Sequence, residues 1–160
     1  MVEAERIRLW LVRHAHAVDA TQDTVRPLSK RGRRQIRSLA RVLGASEALR
    51  PDEIWHSPLV RSRQTAESLA RRLGLDVPLI SMAGLMPEDA PQAIARRLKT
   101  LRHDVAVVGH EPHLSALASL LVTGTAEPPV FVLKKCAVIA LEQAGARWVV
   151  RWQVSPEVLA

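Results

Sequence analysis

Apolar and polar positions alternate in blocks along the chain. Arg6 to Val12 (RIRLWLV) is a short apolar run bounded by charge and predicts a buried strand. A polar loop follows over Asp19 to Pro27. Ser29 is placed to cap a helix from Lys30 to Leu43, with Ile36, Leu39, Ala40 and Leu43 on one face and Gly44 closing it. Glu53 to Trp55 predicts a second strand, and Ser57-Pro58 a helix start. That helix runs to Leu73 and stops at Gly74. Val77 to Ile80 predicts a strand, Gly84 to Pro91 a loop, and Pro91 to Leu101 a helix.

Val105 to Val108 is the most apolar strand, turning at Gly109-His110-Glu111-Pro112 into a helix over Pro112 to Leu121. Val130 to Leu133, Ala137 to Leu141 and Trp148 to Val154 predict closing strands with a turn at Gly145. There is no internal repeat and no linker, so one domain over 1–160 is expected. Strands alternating with helices predict an α/β three-layer sandwich, its central sheet mostly parallel and flanked by helices. Ligands of such sheets bind beyond the carboxyl ends of the strands. That rule selects Arg13-His14, His56-Ser57 and Gly109-His110.

The same three strand ends hold the reactive side chains. The first strand delivers Arg13 and His14 side by side. Arg61 lies in the first turn of the following helix, where free N–H groups and the helix dipole favour an anion. His110 stands at the third strand end. Arginine grips phosphoryl oxygens with two parallel hydrogen bonds. Neutral imidazole is a competent nucleophile near neutral pH. The set therefore reads as a phosphate pocket in which a phosphoryl group can pass to a histidine nitrogen without a metal or other cofactor. Taken singly, each member has a plainer reading: a surface Arg-His pair, a helix cap, one more solvated arginine.

Composition narrows the partners. Of 160 residues, 48% are hydrophobic, as in a globular chain. Cys136 is the one cysteine, which excludes an intrachain disulfide and a CxxC pair; in its apolar, strand-like stretch it reads as an inert buried thiol. The amino terminus carries acidic residues at once and no apolar run can span a bilayer, so the expected address is the cytoplasm, with no membrane partner. The net charge is +7, and only Lys30, Lys99, Lys134 and Lys135 of the 23 cations are lysines. Most arginines fall in segments that read as solvated helix faces. With no tyrosine and a single phenylalanine, Phe131, there is no stacking platform for nucleic acid. Such a partner is not expected. A monomer is.

The chain resembles the histidine phosphatase superfamily, the RHG or phosphoglycerate-mutase-like proteins, and within it the small SixA-type phosphohistidine phosphatases. The matching pieces are LVRHAHA at 11–17, RPLSKRG at 26–32, SPLVRSRQTAE at 57–67 and VVGHEPHLS at 107–115. The resemblance implies a phosphoglycerate-mutase-like fold, with His14 as the nucleophile that becomes phosphohistidine. Arg13 and Arg61 would clamp the phosphoryl oxygens. His110 would contact the phosphate and stabilise the transition state. Ala15 departs from the pattern, which has glycine there; a positive φ at that position would strain an alanine.

The leaving group decides the substrate. An alkoxide needs a proton donor; the resemblance implies one in the loop corresponding to Gly84 to Pro91, where Glu88 or Asp89 are the candidates, each with a plainer reading as a loop carboxylate. Without a donor, imidazole from a protein phosphohistidine is the fitting leaving group. A phosphorelay or phosphocarrier domain is then the expected partner. The alternatives are a small-molecule ester phosphatase of the same superfamily and a phosphoprotein or nucleic-acid binding module. A third, a metallohydrolase, would use His14-x-His16, facing one way by strand alternation, with His110-x-x-His113. Arg13 beside His14 disfavours a bound cation. His56, His103 and His113 read as loop or cap residues, and Met82 and Met86 as core fillers.

Overall fold

A computed structural model of the protein describes residues 6–20 and 22–159. Six strands alternate with four helices: β1 (Arg8–Arg13), α1 (Lys30–Ser46), β2 (Glu53–His56), α2 (Val60–Leu73), β3 (Leu79–Ser81), α3 (Gln92–Lys99), β4 (Val105–Gly109), α4 (His113–Thr123), β5 (Val138–Ala144) and β6 (Arg147–Val154). The strands form one sheet in the order β3-β2-β4-β1-β5-β6. β3, β2, β4 and β1 run parallel, while β5 and β6 form an antiparallel hairpin on the β1 side.

Strand alternation sends side chains to opposite faces, and two separate cores result. Leu9 and Leu11 of β1 and Val105 and Val107 of β4 meet Ile94 and Leu98 of α3 and Leu114 and Leu117 of α4. Trp10, Val12, Ala106 and Val108 meet Ile36 and Leu39 of α1 and Leu69 of α2. Helices therefore cover both faces, the expected three-layer α/β sandwich. Each fully buried leucine or isoleucine contributes about 1.5–3 kcal/mol.

Several boundaries differ from the sequence reading. α1 runs through Gly44 to Ser46 and is closed instead by Glu47 in the left-handed conformation (φ 52°), with the Ala48 amide bonded back to the Leu43 carbonyl. α2 starts at Val60, because the Ser57 hydroxyl accepts the Leu59 amide in a preceding turn and also bonds His110. β3 lies at 79–81 rather than 77–80. Val130–Leu133 is not a strand. Its backbone groups are taken by side chains: Ser119 Oγ accepts the Val130 amide, and the Val132 and Leu133 carbonyls accept from Gln153 and Arg13. Val130 and Val132 are left 63% and 70% exposed. Cys136 is buried as expected but occupies a left-handed turn (φ 64°) before β5, not a strand.

The amino end of α1 is set by close contact. Ser29 caps it by accepting the Gly32 amide at 3.0 Å. A Cβ on Gly32 would lie 2.1 Å from the His16 carbonyl oxygen. Only glycine lets α1 approach the loop that follows β1 so closely.

Candidate active site

The sheet order places β4 between β2 and β1, so three parallel strands end level with one another. Arg13 is paired with Gly109, and His56 with Val108. The chain leaves each strand with its backbone still tied to the neighbour. The His14 amide donates to the Gly109 carbonyl at 2.9 Å and the Ser57 amide to Val108 at 3.2 Å. Arg13, His14, Arg61 and His110, the four residues singled out in the sequence, all line one cleft of about 350 Å³.

His14 is buried, and its ring lies 5.1 Å from that of His110, centroid to centroid. His14 Nδ1 is 2.7 Å from the Ala15 carbonyl oxygen. A carbonyl only accepts, so Nδ1 carries the proton and Nε2 of the neutral ring is bare. Burial pushes the His14 pKa down to about 4, aided by Arg61, Arg13 and Lys135 and opposed by the Ala15 hydrogen bond. The ring is neutral at physiological pH. Ala15 does not have the positive φ that would strain it. Its amide donates to Thr65 Oγ1, which in turn donates to the Arg61 carbonyl. The loop after β1 is thereby fixed to the first turns of α2.

His110 Nε2 meets Ser57 Oγ at 2.5 Å, while its Nδ1 is buried with no protein partner. Burial, then the neighbouring His14 and Arg61, push its pKa down to about 3. Arg61 is 5% exposed. Its Nη1 donates to the Asp23 carbonyl at 3.0 Å and its Nη2 to the Asp23 carboxylate at 3.3 Å. Two of its five donors are thus clearly committed, and Nε is buried without a partner. Arg13 Nη1 donates to the Leu133 carbonyl, and its Nε is likewise unpartnered. Buried N–H groups without partners are uncommon and suit an arriving acceptor. At the start of α2 the Ser62 and Arg63 amides both donate to the Leu59 carbonyl.

The structure adds residues that the sequence did not mark. Asp23, Arg26, Lys135, Glu111 and Pro87 also line the cleft. Burial would raise the Asp23 pKa, but the charges and hydrogen bonds of Arg61 and Arg26 outweigh it and hold the carboxyl below its ordinary value. Glu111 accepts from both the amide and the hydroxyl of Ser115 in α4. The expected proton donors are elsewhere. Glu88 is exposed and Asp89 accepts the Met86 amide; neither lines the cleft, which the loop meets with Pro87.

The histidine pairs do not come together as strand alternation suggested. β1 ends at Arg13, so His14 and His16 follow loop geometry instead. His16 bonds Ser29 Oγ at 2.6 Å and lines a different hollow. His113 is 1% exposed at the start of α4, with neither ring nitrogen hydrogen-bonded. His56 is buried with Nδ1 on the Ser57 carbonyl, and exposed His103 bonds Glu53.

Neutral imidazoles, guanidinium donors without partners and a cleft at three strand ends define a phosphoryl-handling α/β enzyme. The sequence model of the histidine phosphatase superfamily (branch 1) matches residues 9–87. The chain is 29% identical over 159 residues to the phosphohistidine phosphatase SixA of Escherichia coli (strain K12), covering 94% of each. It is 31% identical over 149 residues to an uncharacterised protein of Picosynechococcus sp., covering 88% of each. The solved structure of the protein histidine phosphatase SixA complexed with tungstate superposes with a TM-score of 0.85 at 25% identity, over 96% of this chain and all of that one. The protein belongs to the histidine phosphatase superfamily. It is a SixA-like phosphatase of the class that uses a histidine nucleophile.

Proposed function

We propose that the protein removes phosphate from a protein phosphohistidine, without a metal, through a phosphoenzyme formed on His14. One observation carries this reading: the cleft holds a bare imidazole nitrogen among arginines but no carboxylate free to protonate a leaving group, among the described residues. Asp23 is engaged by Arg61 and Arg26, and Glu111 by Ser115. The leaving group must then be weakly basic. Imidazole leaving from a phosphohistidine ring that is protonated on its other nitrogen meets that requirement; a serine alkoxide does not.

In the first step His14 Nε2 attacks phosphorus. A P–N bond forms to His14 as the substrate P–N bond breaks, and the electron pair departs on the substrate imidazole, which carries a proton on its other nitrogen and so leaves as neutral imidazole. Arg13 and Arg61 hold the phosphoryl oxygens, and His110, which lines the same cleft, stabilises the charge that develops on them. Water then attacks phosphorus, the bond to His14 breaks, and inorganic phosphate leaves. The partner is a phosphorelay or phosphocarrier domain. An ester phosphatase remains the second reading, because Glu111 does line the cleft and would supply the proton if released from Ser115.

The test is phosphate release in EDTA from a phosphohistidine-bearing phosphotransfer domain and from aryl and serine phosphates. Wild type is compared with His14→Ala, Arg61→Ala and Glu111→Gln. Release from phosphohistidine is expected, lost in His14→Ala and reduced about 10²- to 10³-fold in Arg61→Ala. Glu111→Gln should change it little. Faster release from esters, abolished by Glu111→Gln, would replace this reading with the second.

A further inference from the structure

Beside the catalytic cleft lies a second hollow of about 620 Å³. Its walls are α1, the turn at Lys134-Lys135 and the carboxyl-terminal turn at Pro156–Val158. The two hollows adjoin, and Arg13 and Lys135 line both. Along α1, residues 31, 34, 35 and 38 face the groove. That is the i, i+3, i+4, i+7 spacing of one helical stripe. The groove carries Arg13, Arg31, Arg34, Lys134 and Lys135 against a single carboxylate, Glu157. Arg31, Arg34 and Lys134 are exposed, and none of the three has an ion-pair partner among the described residues.

Two further features show that these charges are held against their own preference. The first turn of α1 contains no acidic residue and begins Lys30-Arg31, placing cations at the positive end of the helix dipole. Lys135 is lowered from its ordinary pKa by burial and by Arg13, Arg26 and Arg31. A helix start that repels its own side chains, next to a lysine crowded by three arginines, is relieved by a polyanion. The cleft, at about 350 Å³, accounts for the phosphoryl group alone. The groove, leading away from it along the helix, requires a longer anion.

We propose that this groove docks an acidic segment of the phosphorylated protein, with carboxylates beside the phosphohistidine laid along Arg31, Arg34 and Lys134 while the phosphoryl group enters the cleft. The proposal rests on the phosphohistidine reading above and specifies its partner: a protein whose phosphohistidine is flanked by aspartate and glutamate.

The experiment uses the full chain with Arg31→Glu and Arg34→Glu combined, both on the exposed side of α1. Substrates are a phosphohistidine phosphotransfer domain with an acidic flank, the same domain with that flank changed to Asn and Gln, and free phosphohistidine. For the acidic domain, KM is expected to rise about tenfold or more with kcat nearly unchanged, and the effect to fade at high salt. Free phosphohistidine should be hydrolysed as by wild type, which also shows the variant to be folded. The neutralised flank should raise KM for wild type, and a flank of lysines should restore turnover by the variant.

Equal KM values for the two domains with wild type, or no change in the variant, would overturn docking and leave the phosphohistidine reading standing. An equal loss on free phosphohistidine would also overturn it, since the arginines would then serve the cleft or the fold. Wild type that hydrolyses esters but no phosphohistidine would refute the reading of function, and docking with it.

Discussion

Acid should destabilise this protein through a group at the centre of its site. An imidazole in the unfolded chain titrates near its ordinary value of 6.5, whereas His14 in the fold is pushed down to about 4. Burial is the first cause, followed by the charges of Arg61, Arg13 and Lys135. Between those values the unfolded chain binds a proton that the folded chain refuses. Stability is therefore fully present above the unfolded pKa and falls as the pH drops toward the folded one. At about 1.4 kcal/mol per pKa unit, lowering the pH from about 7 to about 4.5 should remove about 2.5 kcal/mol through His14. With a urea m-value of about 1–3 kcal/mol/M, the midpoint should move by about 0.8–2.5 M.

Carboxylates also titrate in this range, so the measurement is a difference. Urea midpoints across the pH series are compared for wild type and His14→Gln, whose side chain cannot ionise and whose amide can still donate to the Ala15 carbonyl. Wild type should lose about 2.5 kcal/mol more than the variant. His110, pushed down to about 3, acts in the same direction in both proteins. Parallel curves would refute the reasoning: His14 would not be held neutral by its surroundings. The same depression keeps the proposed nucleophile unprotonated, so kcat/KM should not fall between about pH 7 and 5 through protonation of His14.

Gly32→Ala should cost about 2 kcal/mol in urea or thermal unfolding, although alanine favours helix, because its Cβ would meet the His16 carbonyl; a more stable variant would disprove the close approach. Ser57→Ala should lower kcat about tenfold at nearly constant KM, since a buried imidazole loses its partner at a cost of about 1–2 kcal/mol. An unchanged kcat would remove Ser57 from any role in placing His110. Burial pushes the Cys136 thiol up to about 12, so thiol reagents should label it only after unfolding; rapid labelling of the native protein would contradict its burial.

What could be read in the sequence was what a short window determines. An apolar run that stops at Arg13-His14 or at Gly109-His110 marks a strand end within a few residues, and adjacency in a parallel sheet brings such ends together. Asp23, Arg26 and Lys135 could not be found that way. They reach the cleft because two irregular segments fold over it, and no periodicity records such a path. Arg26 lay inside RPLSKRG without a chemical role. Ser57 reads in the sequence as part of a helix start, because a serine before proline carries that local signal and its contact with His110 is 53 residues distant. Val130–Leu133 misled for a related reason. Its composition is that of a strand, yet Ser119, Gln153 and Arg13 take its hydrogen bonds.

The resting electrostatics of the cleft explain why two histidines can be neutral at one moment and useful for charge at the next. Arg13, Arg26, Arg61 and Lys135 line it against Asp23 and Glu111, and both carboxylates are already engaged. Burial, with that positive surrounding, keeps a second proton off either imidazole, which leaves Nε2 of His14 bare. A phosphoryl dianion reverses the balance on arrival. It supplies acceptors for the unpartnered nitrogens of Arg13, Arg61 and His110, and its charge raises the proton affinity of both rings. His14 cannot take that proton on Nε2 once it is bonded to phosphorus, so in the proposed reaction the gain falls to His110. A proton gained there would make His110 a charged hydrogen-bond donor to the bound phosphoryl group.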